Sequence, residues 1–518
     1  MPSNTIDGQK HLVLATIDEE ARPISVRVLG AYAESLGVRT TLLVILHRLA
    51  SYSNPVTYSQ REISQLAEFL EHNRVTHLGF YLMTASLKPY RLLVPALRKA
   101  GFRGVIMAGG VHPTLQPEES MVDGSDFAVQ GPGEIPLEMI LRGRPPETIP
   151  GLVWREGKTI RVNPPSKEQS LELDQLPFPL VRFDRDWILV NGRLRPLDWA
   201  MNRRYADWHG RYLDIVTSRG CPYRCAYCCN VYGAPVRRAS VDRVIRELRH
   251  IKETEPRIQA FNIQDDSFYA GQDDWFNEFC SRYKSEVGMP FIARMIPRFV
   301  TPERIEKLKD AGLEYVTMGL EGSNRLNREI YNRKEDSQTF LKAAQIILSA
   351  GLLLSIDFIM HNPYETEDDL REVARTLNAL PRPNWWIVSL SMTAFPHTAF
   401  YDRCLRDGML DKLSTDPYDA MMIPSRPGSY RTPPFWLNLI TIVLPHLNPG
   451  LGNALINMGP RDAKAVRIVM SMARWIRTTK KITTWMRDRA PWLYKAVYRV
   501  LRVFSRRRPL ASGMKIVD

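Results

Sequence analysis

The chain has 518 residues, 44% hydrophobic and 24% charged, which calls for two or three domains of ordinary globular composition. Its net charge of +14 sits at one end: residues 461–518 hold 16 Lys/Arg against three acids, and the remainder holds 54 against 53. That distribution removes a general electrostatic case for nucleic acid and leaves only a basic tail.

The opening MPSNTIDGQK lacks the basic-then-apolar order of a secretory leader. The longest apolar run, FWLNLITIVL (435–444), is too short to span a bilayer. A cytoplasmic protein is expected. Residues 1–147 alternate strand and helix patterns, with strands at 11–18, 40–46, 77–83, 104–110 and 126–131 and helices at 25–37, 63–73 and 92–101. Near-continuous apolar strands separated by helices predict a Rossmann-like parallel sheet covered on both faces, with ligands at the carboxyl ends of its strands. Residues 148–210 are broken by PPE, IPG, NPP and LPFPL and read as a linker. A second alternation fills 211–420, with strands at 213–218, 259–264, 291–296, 314–320, 353–360 and 386–393 and helices between them. It predicts a partial, six-unit β/α barrel, whose chemistry belongs in the loops after the strands. The fold class is therefore α/β, closed by a basic helical region at 421–518.

Six cysteines stand at 221, 225, 228, 229, 280 and 404. Four lie within nine residues, directly after the first barrel strand, which is not how a disulfide framework is spread. A tight cluster without a leader points to metal in a reducing compartment. Cys221, Cys225 and Cys228 form C-x3-C-x2-C. Three thiolates on one loop suit a 4Fe–4S cluster with one iron left open. A structural zinc site asks for four ligands, usually in two pairs, and no second pair follows. The alternative is a three-cysteine zinc site completed by a distant His. Cys229, next to the third ligand, is expected to point away.

The segment TSRGCPYRCAYCCN (217–230), with aromatic Tyr227 before the third Cys, resembles the radical S-adenosylmethionine (SAM) superfamily. The resemblance implies that the open iron binds the amino and carboxylate groups of SAM. One electron, from a donor such as flavodoxin or ferredoxin, then cleaves SAM to a 5′-deoxyadenosyl radical. Further segments match in order. NIQDDSF (262–268) resembles the stretch bordering the SAM methionine group and brings Asp265 and Asp266. Arg294 lies on the third strand. MGLEGSN (318–324) places Glu321 near the SAM ribose. MHNPYETEDD (360–369) and AFPHTAFY (394–401) resemble the family's G-x-P-G-E-T and P-x-P-G-T-P-L-Y, with Tyr364 and His397 where Gly is common. Tyr227, Asp265, Asp266, Arg294 and Glu321 are thus the residues the resemblance assigns to SAM.

AGGVHPTLQPEE (108–119) and QGPGEIPL (130–137) resemble the cobalamin-binding domain that precedes some radical SAM barrels, over roughly residues 10–140. Gly109 and Gly110 end a strand and let a bulky ligand approach backbone. Ser86 follows the third strand, placed to hydrogen-bond the nucleotide tail. His112, Gly131 and Glu134 complete the cobalamin assignments, with His112 read as structural rather than as a cobalt ligand. The family's D-x-H-x-x-G is missing: the loop after the first strand reads TIDEEARPIS (16–25). Bound cobalamin is therefore expected to lack a His from that motif. No G-x-G-x-x-G follows the first strand, which disfavours a dinucleotide.

The resemblance implies a cobalamin-dependent radical SAM enzyme, with cofactors 4Fe–4S cluster, SAM and cobalamin. The leading expectation is a C-methyltransferase acting on an unactivated carbon of a small-molecule or lipid-like substrate. The alternatives are another radical outcome on the same cofactors (ring formation, ring contraction or oxygenation) and a cobalamin- or redox-sensing module. Radical methylthiolation would need a second cysteine triad near the N-terminus, and the chain has none. No catalytic side chain is identified.

The tail has a pattern of its own. Lys464, Arg467, Arg474 and Arg477 share one side of a helix, and Ala465, Ile468, Val469, Met472 and Ile476 the other. After Pro491 the pattern recurs, with Trp492, Leu493, Ala496, Val497, Val500, Leu501 and Phe504 opposing Lys495, Arg499, Arg502 and Arg506. Peripheral contact of 461–518 with an anionic membrane and packing of the apolar stripes on the barrel are the two expectations.

Overall fold

The computed structural model describes residues 6, 9–18, 24–46, 57–183, 185–206, 211–230, 235–418 and 429–489, with side chains through 482 in the last helix. The chain divides into two compact units: Met1–Met289 with Thr393–Ser429, and Pro290–Met392 with Tyr430–Asp518. Among the described residues no helix is long and apolar enough to cross a membrane.

The first unit opens with the strands β1 (His11–Asp18), β2 (Arg39–Leu46), β3 (His77–Tyr81), β4 (Val105–Gly109) and β5 (Phe127–Val129). Neighbouring members pair in parallel, with Ala15 opposite both Leu43 and Phe80. β1 is buried along nearly its whole length, as a strand covered on both faces must be. Helices Ile24–Ser35, Gln60–His72 and Leu87–Lys99 cross between the strands. The second starts on a capping box, Ser59 with Glu62, which satisfies the orphan amides of its first turn.

The stretch read as a linker departs from that expectation. It builds two antiparallel hairpins, β6 (Leu152–Glu156) with β7 (Thr159–Val162), and β8 (Trp187–Val190) with β9 (Arg193–Pro196). They join opposite edges of the sheet, giving the order β7-β6-β5-β4-β3-β1-β2-β8-β9. In the second hairpin the cause is turn chemistry: Asn191 and Gly192 both sit at positive φ, 51° and 72°, the pairing a two-residue hairpin of type I′ requires.

The first unit continues with β10 (Tyr212–Ile215), the short antiparallel pair β11 (Ser218–Arg219) and β12 (Arg237–Arg238), and β13 (Ala260–Ile263), which runs parallel to β10. The second unit carries four parallel strands, β14 (Phe291–Arg294), β15 (Leu313–Glu321), β16 (Leu353–Met360) and β17 (Trp385–Ser391). Their helices start on Thr301, Asp336 and Thr366 as caps. β10 and β13 in the first unit and β14–β17 in the second are the six strands expected of a partial barrel, and they alternate with helices as the sequence pattern indicates.

After β17 the second unit is helical, with Pro434–Asn438, Pro449–Met458 and Ala463–Arg489. The last helix buries Ala465, Val469 and Ala473 and packs on 434–443. Ile468, expected on the packed stripe, instead faces solvent, because the buried line follows i, i+4, i+8 and leaves it about 100° away. The amphipathic pattern after Pro491 lies outside the described residues.

Candidate functional site

A cavity of about 410 Å³ opens at the carboxyl ends of β1, β3 and β4, wholly within the first unit. This is where the strand order reverses, between β1 and β3, the usual ligand crevice of an open parallel sheet. One wall is backbone. A Cβ built on Gly109 would meet nothing within 4 Å, so this strand end offers bare peptide to the cavity. Gly110 is held at φ 109°, and a Cβ there would come within 2.9 Å of the Leu82 carbonyl oxygen. Only glycine fits that position. Gly131 and Glu134 line the same cavity.

The opposite wall is the cysteine loop: Arg219, Cys228, Cys229, Asn230 and Asp266 also line the cavity. Cys229 thus faces the same space as Cys228, where the sequence suggested it would turn away. The cause is that 225–228 forms a turn, closed by Cys228 N–H on the Cys225 carbonyl at 3.1 Å, rather than a strand whose successive side chains alternate. None of the six cysteines is in a disulfide. Among the described residues no three His, Cys, Asp or Glu side chains converge on one metal-ion position. A cube of four irons asks for something else: one thiolate on each of three corners. Three thiols on one loop, with a roomy cavity at the third, fit such a group in number and chemistry.

Asp265 is the anchor of this loop. It is 0% exposed. Oδ1 accepts from the backbone amides of Thr217 (2.7 Å) and Ser218 (3.1 Å), and Oδ2 from the hydroxyls of both (2.5 and 2.7 Å). Arg238, which lies over the Trp275 ring, completes the shell with Nη1 3.3 Å from Oδ2. Asp265 therefore sits beneath the loop, and Asp266 is the carboxylate of the pair that reaches the cavity. There it accepts from Asn230 Nδ2 at 3.0 Å. Tyr227 is half-buried on the loop. The next carbonyl back, of Ala226, is held by the Phe400 amide at 2.9 Å.

Two residues assigned to cobalamin fall elsewhere. Ser86 is buried off the cavity and donates to the Ile17 carbonyl oxygen at 2.8 Å, tying the helix after β3 to the end of β1. His112 has no exposed surface. Its Nδ1 is 3.3 Å from Thr84 Oγ1, its Nε2 3.7 Å from a Glu119 oxygen, and its ring meets Tyr418 edge-on. Burial pushes its pKa down to about 4. Its surroundings are those of a core histidine. The remaining assignments, Gly109, Gly110, Gly131 and Glu134, stand on the cavity surface.

In the second unit the assigned residues occupy strand ends. Arg294 ends β14, exposed. Glu321 ends β15 at φ 62°, a left-handed conformation that a non-glycine residue adopts at a cost of about 1 kcal/mol. Its carboxylate folds back over Gly319, where a Cβ would lie within 2.1 Å of Oε1, and it stands 3.9 Å from Arg333 Nη1. Strain held in place by neighbours is typical of a working residue. Asp357 on β16 is an acid that the sequence reading passed over. Burial raises its pKa against the pull of Arg294 and Arg333. Its signal was a lone carboxylate inside LLSIDFIM.

The two altered glycine positions resolve differently. His397 takes the left-handed turn itself, at φ 62°. Tyr364 does not: the turn is made instead by His361 at φ 57°, while Asn362 Oδ1 accepts from the Tyr364 amide at 3.0 Å.

The comparisons agree with this architecture. The family model of the radical SAM superfamily matches residues 215–377, and that of the B12 binding domain matches residues 10–141. The two matches together are those of a cobalamin-binding radical SAM family. The chain's barrel stands behind a B12-binding domain, and its cofactors are the 4Fe–4S cluster, SAM and cobalamin. An uncharacterized methyltransferase of Pyrococcus horikoshii is 26% identical over 61% of this chain and 66% of its own length. The bacteriochlorophyllide d C-8(2)-methyltransferase of Chlorobaculum tepidum is 20% identical over 74% of this chain and 82% of its own. The anaerobic magnesium-protoporphyrin IX monomethyl ester cyclase of a Synechocystis strain is 21% identical over 66% of each. Among solved structures, the radical SAM methyltransferase TsrM from Kitasatospora setae aligns with TM-score 0.63 at 18% identity, over 76% of each chain. The cobalamin-dependent radical SAM enzyme OxsB aligns with TM-score 0.58 at 16% identity, over 96% of this chain and 71% of its own. At such identities these structures speak to the fold.

Proposed function

We propose that the chain is a C-methyltransferase, transferring a methyl group to an unactivated carbon of a small-molecule or lipid-like substrate. The carrying observation is the single cavity with bare backbone at Gly109 on one wall and Cys228 on the other. When bound, SAM on the cluster would supply the hydrogen-abstracting radical and cobalamin the methyl group. The chain's part is to place these groups against one substrate. Cys221, Cys225 and Cys228 would hold the cluster. Gly109, Gly110, Gly131 and Glu134 would line the corrin side, and Asp266, Tyr227, Arg294 and Glu321 would surround SAM. The name of the Chlorobaculum relative, a methyltransferase, supports methylation. The cyclase likeness supports ring formation as the second reading.

An external one-electron donor such as flavodoxin or ferredoxin would reduce the cluster, and the basic C-terminal region would bring the enzyme to an anionic membrane. The test is anaerobic incubation of the reconstituted protein with methyl-labelled SAM and candidate substrates, followed by mass spectrometry. A product carrying the labelled methyl, with two SAM consumed per turnover, is expected. SAM cleavage with an unmethylated, altered product would replace methylation by the second reading.

A further inference from the structure

The helix Ala463–Arg489 has two faces. The inner one is packed: Ala465, Val469 and Ala473 are buried, and Arg477 donates to Asn438 Oδ1 at 2.7 Å. The outer one repeats a basic–apolar dipeptide every seven residues: Arg467-Ile468, Arg474-Trp475 and Lys481-Ile482. At about 100° per residue, Ile468, Trp475 and Ile482 fall within roughly 40° of arc and form one line along the helix. The three basic residues form a second line beside it. Ile468, Trp475 and Ile482 are 39%, 68% and 52% exposed. Between Ala463 and Ile482 there are six Lys/Arg and no acid.

We propose that this outer face docks the enzyme on an anionic lipid surface, with the helix axis in the membrane plane. A partner helix would want apolar residues at two positions per heptad, and the positions three residues on are Ser471 and Thr478. A second copy would bring Arg467, Arg474 and Lys481 against their own kind. A lipid headgroup layer accepts what is present: a narrow apolar line with a central Trp, whose ring is part apolar and part polar, and a parallel row of cations. The face differs from the stripe the sequence pattern singled out, which is the packed one.

Sedimentation of the full chain with vesicles tests this. Binding to phosphatidylcholine vesicles containing phosphatidylglycerol, little binding to phosphatidylcholine alone, and weakening by salt are expected. Replacing Arg467, Arg474 and Lys481 by Gln should weaken binding by about fivefold per charge, or about a hundredfold together. Replacing Ile468, Trp475 and Ile482 by Ser should abolish it. All six side chains are exposed, so iron content and circular dichroism should stay unchanged. Full-length protein that ignores anionic vesicles, or triple variants that bind like the parent, would overturn the proposal. So would binding lost only when the chain is ended at Arg489, which would assign it to the residues beyond.

Discussion

Nη2 of Arg219, two residues before the first cluster cysteine, lies 2.6 Å from Oε1 of Glu134, the first residue of the helix Glu134–Leu141. The pair ties the cysteine loop to the B12-binding domain across the cavity that both line. Glu134 is nearly fully buried, and its Oε2 accepts no hydrogen bond among the described residues, so its charge rests on Arg219. Arg219→Ala should therefore cost about 3–5 kcal/mol by leaving a buried carboxylate unpaired. Adding Glu134→Ala should restore part of that loss. Denaturant titration of the four proteins measures the coupling, and simple additivity would mean that the pair contributes nothing.

Asp265 and Asp266 are neighbours with opposite roles. Asp265→Ala removes the carboxylate on which the amides and hydroxyls of Thr217 and Ser218 converge and takes the counter-charge from the buried Arg238. A loss of about 3–5 kcal/mol is expected, together with failure to retain iron after anaerobic reconstitution. Asp266→Ala, on the cavity surface, should keep the melting temperature and the iron while weakening SAM. Equal iron loss in both would deny Asp265 its anchoring part.

The cluster reading predicts that Cys221→Ala, Cys225→Ala and Cys228→Ala each abolish bound iron and sulfide. Cys229→Ala should keep them although its side chain shares the cavity, as should Cys280→Ala and Cys404→Ala. Iron lost in Cys229→Ala alone would add that residue to the ligand set.

Gly109 gives a clean probe of the corrin side. The Cβ of a Val there meets no protein atom within 4 Å, so fold and iron content should survive while the side chain intrudes on the cavity. Binding of hydroxocobalamin should fall to background, read by its visible absorbance after gel filtration. His112→Ala should leave the Co(II) spectrum unchanged, without nitrogen splitting in either protein. Splitting that disappears in His112→Ala would make His112 a cobalt ligand after all.

Glu365 sets a pH dependence. Burial pushes its carboxyl up to about 7, although Tyr430 and Thr432 both donate to it. A raised acid pKa favours the folded state while the group is neutral. Stability from Glu365 is therefore greatest below about 4.5, falls as pH rises through about 7, and is flat above. The full swing is roughly 3 kcal/mol. Glu365→Gln keeps an acceptor and cannot ionise, so its melting temperature should gain on the parent between pH 5 and 8. His361 and His112, held low, drift the opposite way, but they are common to both proteins and cancel. A constant gap would show Glu365 already ionised in the fold.

The alternation of apolar strands with helices was legible because burial on both faces writes itself as unbroken runs such as HLVLATID. The cysteine loop was legible because its spacing is short-range. What was not legible depends on distant partners. β8 pairs with β2 in parallel, Leu43 opposite Trp187, and nothing near Trp187 announces that. The Asn191-Gly192 turn was a local signal, overshadowed by the prolines around it. Asp265 and Asp266 read alike in sequence, and only the backbone path buries one and exposes the other. Ile468 looked like a core residue until the phase of the helix was fixed by Ala465, Val469 and Ala473.

The hairpins at the two ends of the nine-stranded sheet bear on how the protein is born. β6–β7 and β8–β9 cap strands that would otherwise be open edges, yet they are translated after the five strands they protect. A nascent chain that has emerged only to residue 147 presents β5 and β2 bare, each able to recruit a strand from another molecule. The B12-binding half thus becomes safe from such pairing only once Pro196 has left the ribosome. A gene fragment cut at the apparent end of that domain should yield aggregates, where one cut after Pro196 yields a monodisperse protein.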